Sequence, residues 1–76
     1  MLHQELRAAR TRDNTRRGVL PAPVRHQAVE AMGDGRRCDG CGDAVHPAAK
    51  LSLVTVARRM SLWFHHDCYR AWVMHS

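Results

Sequence analysis

Two short clusters, Cys38-Asp-Gly-Cys41 and His65-His-Asp-Cys68, narrow what this chain can fold into more than any other feature. Two residues between cysteines let the backbone turn back tightly, so that both sulfurs can reach one tetrahedral ion. Gly40 and Gly42 supply the backbone freedom that such a knuckle needs. His65 and Cys68 lie three apart, so at a helix N-terminus they share one face, and the positive end of the helix favours the Cys68 thiolate. Residues 42–64, between the clusters, are enough for a hairpin that returns the chain to the ion. The pattern therefore predicts one structural Zn²⁺ held by Cys38, Cys41, His65 and Cys68. Using His66 instead would give His-x-Cys, with the two side chains on different helical faces, so His65 is the expected ligand. A thioredoxin-like redox pair would need a βαβ setting that so short a chain does not offer.

Length explains why a metal would be needed. A chain of 76 residues buries little apolar surface against its conformational entropy, and folds of this size usually carry a staple. Three cysteines cannot pair evenly into disulfides. The first 17 residues are polar and arginine-rich, without the apolar core of a secretory leader. The longest apolar run, from Leu51 to Ala57, is too short to span a bilayer. The expected setting is a reducing, cytoplasmic one, where clustered Cys and His favour metal over disulfide.

The two halves of the sequence differ in grammar. Residues 1–37 hold no cysteine but eight arginines, among them Arg16, Arg17, Arg36 and Arg37. Leu2, Leu6 and Ala9 form only a narrow helical stripe, so residues 1–20 are expected to be a basic arm, partly helical and partly disordered. Val24, Ala28, Ala31 and Met32 recur at i, i+4, i+7 and i+8 behind Pro23, which predicts a short helix within residues 21–35, stopped by a Gly33-Asp34-Gly35 hinge. Residues 36–76 contain all three cysteines and every aromatic side chain. There Leu51 to Ala57 alternates as a strand, with Ser52, Val54 and Val56 on one side, and Ser61 to Phe64 reads as its partner. From about His66 the spacing of Cys68 with Trp72 and of Tyr69 with Val73 becomes helical.

The combination Cys38, Cys41, Phe64, His65, Cys68 and Trp72 resembles a treble-clef zinc finger, and its spacing is similar to the first zinc module of LIM domains. The resemblance covers roughly residues 36–76. It implies a small α+β, zinc-stabilised fold of knuckle, β-hairpin and C-terminal helix, as in small zinc-finger proteins of bacteria. Position 71 is Ala where a LIM domain would begin its second module with Cys.

Four protein ligands leave a tetrahedral ion no open position for water or substrate, and no nucleophile–base set or phosphate-cradling glycine loop is visible elsewhere. An enzyme is not expected, nor a small-molecule substrate. Phe64 and Trp72 are expected in the core. Trp63, on the opposite strand face, is expected to receive the N-terminal helix. The net charge of +5 favours an anionic partner such as nucleic acid, an acidic protein face or a phospholipid surface without choosing among them, and no membrane partner is expected. Arg16, Arg17, Arg36, Arg37, Arg58 and Arg59 are the candidate phosphate contacts of a nucleic-acid-binding regulator. The alternative is a protein-interaction adaptor that docks through the zinc module and the N-terminal helix.

Overall fold

The computed structural model describes residues 2–23, 26–56 and 60–74. Helix α1 (Leu2–Arg16) is followed by strands β1 (His26–Met32), β2 (Lys50–Val56) and β3 (Met60–His65), and then by helix α2 (His66–Met74). The strands form one antiparallel sheet in the order β1-β2-β3.

Register decides which side chains reach the core. Ser52 stands opposite Phe64 and Val54 opposite Leu62, and all four are buried. This is the face on which α2 lies, and the expected Ser52, Val54, Val56 side of β2 is the inward one. Trp72 fills the centre, stacked on Phe64 with ring centroids 5.3 Å apart. Its indole Nε1 donates 2.8 Å to the carbonyl of Pro21, which satisfies the one polar atom the ring takes into the core. Leu20 follows α1 into the same core.

One expectation for the N-terminal half fails and another is met in part. The segment read as a helix within residues 21–35 carries strand β1 over His26–Met32. Its i, i+4, i+7 apolar spacing was fortuitous: no apolar face is selected, and residues 27–32 stay exposed along the outer edge of the sheet. β1 is held by its backbone ladder to β2, from His26 opposite Val56 to Met32 opposite Lys50. The helical part of the expected arm is present as α1, a helix of 15 residues packed on α2. Leu6 and Ala9 of the expected apolar stripe do not face the core: both are exposed, Leu6 by 54%. The contact face is instead Arg7, Thr11, Asn14 and Thr15, of which Thr11 is fully buried. Gly18, at φ 80°, ends the helix in the left-handed conformation that favours glycine.

Trp63 does not receive α1. It lies half-buried on the sheet face turned away from α2, with the Arg36 guanidinium 3.6 Å over its ring. Among the described residues no helix is long and apolar enough to cross a membrane.

Candidate metal centre

Cys38, Cys41, His65 and Cys68 converge, with one donor atom from each lying within 4.8 Å of every other, and all four side chains are buried. Each pair has its own local reason to be there. The 38–41 turn is closed by the Gly42 amide, which donates 2.9 Å to the Cys38 carbonyl, and by the Cys38 amide, which donates 2.8 Å to the Asp43 carbonyl. Gly42 sits at φ 88°, where a side chain would be strained. Gly40 is needed for a different reason: a Cβ there would fall 2.5 Å from Thr11 Oγ1 and 3.0 Å from Phe64. The second pair lies where β3 ends and α2 begins, with His65 the last strand residue and Cys68 in the first helical turn. The Asp39 carboxylate ties the two pairs together by accepting 2.7 Å from the Trp63 amide, while the Asp39 amide donates 2.6 Å to the Trp63 carbonyl.

The imidazole is oriented for ligation. His65 Nε2 lies 3.1 Å from the Ala44 carbonyl, which can only accept, so the proton sits on Nε2 and Nδ1 keeps its lone pair. Nδ1 faces two sulfurs, Cys41 Sγ at 3.4 Å and Cys68 Sγ at 3.7 Å. Bond lengths of about 2.3 Å for Zn–S and about 2.05 Å for Zn–N at a tetrahedral angle put sulfur and nitrogen about 3.6 Å apart. Both nitrogen–sulfur separations fit a zinc-sized ion.

Charge follows the same logic. Hydrogen bonds from Cys41 and Cys68 hold the Cys38 thiol far below its ordinary value against its burial, helped by the Cys41 and His65 amides, the latter 3.4 Å from Cys38 Sγ. Bonding to Cys38 pushes Cys41 up to about 11 and Cys68 higher still. Three crowded sulfurs can carry one negative charge between them, whereas a divalent cation at their centre would let all three ionise.

His66, the competing imidazole, is exposed and outside the cluster. Of the proposed phosphate contacts, Arg36 is engaged: its guanidinium reaches the Asp34 carboxylate at 2.9–3.1 Å while covering Trp63. Arg17 pairs with Asp13 at 3.5 Å. Arg16 and Arg37 are exposed and have no acidic partner among the described residues. Arg58 and Arg59 lie outside the described residues.

The sequence reading missed the contribution of α1. Asn14 Nδ2 donates 2.7 Å to the Gly40 carbonyl, Arg7 bonds both oxygens of Asp67 at 3.3 and 3.4 Å, and the buried Thr11, whose hydroxyl donates 2.9 Å to the Arg7 carbonyl, closes over Gly40. Polar residues at i, i+4 and i+7 were the available signal, and hydrophobic patterning does not register it. Comparison with protein-family models, characterised proteins and solved structures yields no match for the chain.

Proposed function

We propose that this chain is a non-enzymatic zinc-finger protein of treble-clef type, in which one structural Zn²⁺ is bound by Cys38, Cys41, His65 and Cys68, and that it acts as a small nucleic-acid-binding regulator in a reducing compartment. The convergence of four buried donors, with His65 Nδ1 turned toward the sulfurs, carries the zinc reading. The order of knuckle, β2–β3 hairpin and helix α2, with one ligand pair from the knuckle and one from the β3–α2 junction, supports the treble-clef assignment. A filled tetrahedral shell leaves no place for a reacting water, which favours a structural ion.

The nucleic-acid reading draws on the net charge of +5 and on exposed arginines without acidic partners. A specific observation favours the adaptor as a second reading. Val29, Leu53 and Trp63 stand in register across the sheet face away from α2, and Val29 is 61% exposed. Such a row could meet an apolar partner, but Arg36 already covers its Trp63 end.

The zinc reading is tested by native mass measurement and circular dichroism of the full chain with and without a chelator. One zinc per chain and loss of structure on chelation are expected, because ligands of this kind are preorganised only in the folded state. Cys68→Ser should fail to fold with zinc, while His66→Ala should fold and load normally. A chain that keeps its structure and melting behaviour after complete zinc removal would sink the proposal.

A further inference from the structure

We infer that the groove between α1 and α2 seats the phosphate backbone of nucleic acid, gripped by Arg12 and Arg70; this rests on the nucleic-acid reading and names its surface. The groove holds about 370 Å³ and is lined by Ala8, Arg12, Asp67, Arg70, Ala71 and Met74. Arg12 and Arg70 come from opposite helices, both are exposed, and neither guanidinium has a hydrogen-bond or ion-pair partner among the described residues. The acidic residue of the lining does not cancel them, because Asp67 is bound through both oxygens to Arg7. Arg16, one turn beyond Arg12 and likewise without an acidic partner, continues the row along α1.

Elsewhere the described arginines are largely neutralised. Arg10 faces Asp43, Arg17 faces Asp13 and Arg36 faces Asp34. Among the described residues the free guanidiniums therefore concentrate at this groove, with Arg37 standing apart at the knuckle. Two planar guanidiniums across a cleft suit a phosphodiester, whose oxygens take paired N–H donors. Ala8 and Ala71 present only methyl groups, which leaves room for a sugar–phosphate chain to approach closely. An acidic protein segment would also satisfy the charge. It would want a buried pocket for a large apolar anchor, and the one large apolar side chain here, Met74, is 75% exposed.

The test is fluorescence anisotropy of the zinc-loaded full chain with a labelled DNA duplex of mixed sequence, over a salt series, with polyglutamate as competitor. The wild type should bind at low salt. Arg12→Ala with Arg70→Ala should lower the slope of log K against log salt by about 1.8 and weaken binding on the order of a hundredfold at low salt, the contribution of two phosphate contacts. Arg12→Lys with Arg70→Lys should keep most of the slope, and Lys50→Ala, on the sheet side and paired with Glu30, should change neither quantity. Circular dichroism should be the same for all variants. If wild type and the double alanine variant bind DNA alike, the groove is not the contact surface, although the nucleic-acid reading stands. If the wild type binds no DNA at low salt, or binds only polyglutamate, both the groove assignment and that reading fall.

Discussion

The two helices are fastened by different chemistry. Helix α2 buries Cys68 and Trp72 in the core it shares with the sheet, so its position follows from apolar area removed from water. Helix α1 leaves Leu6 exposed and turns a polar stripe inward, meeting the rest of the molecule through Asn14, Thr11 and Arg7. Hydrogen bonds discriminate by geometry where hydrophobic contact does not. The α1 contacts converge on Gly40 and Asp67, each next to a proposed ligand: Asn14 bonds the Gly40 carbonyl, Thr11 closes over Gly40 and Arg7 holds Asp67. α2 is therefore part of the core, while α1 reads the shape of the knuckle and should dock only when that shape is set.

The largest break in this comparison should come from Trp72→Ala. Loss of the ring removes the stack on Phe64 and leaves the Pro21 carbonyl without its donor, for a cost of about 3–5 kcal/mol. For a chain of 76 residues that is a large share of total stability. Urea denaturation of the zinc-loaded protein should show the whole molecule shifting together. A midpoint within error of wild type would mean that α2 is not the element the core is built on.

A smaller, local effect is expected at the other helix. Asn14→Ala leaves the Gly40 carbonyl unpaired and should cost about 1–2 kcal/mol. The loss should fall on α1 alone: amide exchange should speed up across residues 2–16 while zinc stoichiometry stays at one. Gly40→Ala should produce the same pattern more strongly, because its methyl group would displace Thr11. If Asn14→Ala lowers zinc affinity as far as a ligand substitution does, α1 is part of the ion's own framework and the distinction between the helices fails.

How far the sequence revealed all this follows the same division. The cluster of Cys38, Cys41, His65 and Cys68 and the elements β2, β3 and α2 are written in side-chain types whose spacing has one physical meaning: alternation for a half-buried strand, fourfold spacing for a packed helix. β1 was not legible because, beyond half-buried His26, nothing buries its side chains. It is a strand because the free edge of β2 offers backbone partners, and the Val24, Ala28, Ala31 pattern reads as a helix when that edge is unknown. The face of α1 was hidden because Arg7, Thr11 and Asn14 look like solvent residues until the knuckle stands opposite them. Arg12 and Arg70 were indistinguishable from ten other cations until pairing with Asp13, Asp34, Asp43 and Asp67 had removed their neighbours from consideration.

The smallest effect should come from a third attachment, on the sheet face that neither helix touches. Arg36 bonds the Asp34 carboxylate and lies over Trp63, and this bonding holds the Asp34 carboxyl below its usual 3.8. A carboxyl depressed in the folded state contributes stability above its unfolded value and loses it as pH falls through the folded one. An NMR titration should therefore find Asp34 protonating below pH 3.8 in the wild type and moving up toward that value in Arg36→Ala. Both groups are exposed, so solvent screens the pair and the melting temperature should barely move. Trp63 would lose its cover without losing its place, because the strand pairing of β3 and the Asp39 bonds hold the backbone beneath it. A fall in stability as large as that of Asn14→Ala would show the Arg36 cover to be a structural fastening equal to α1, and the contrast would then have three members.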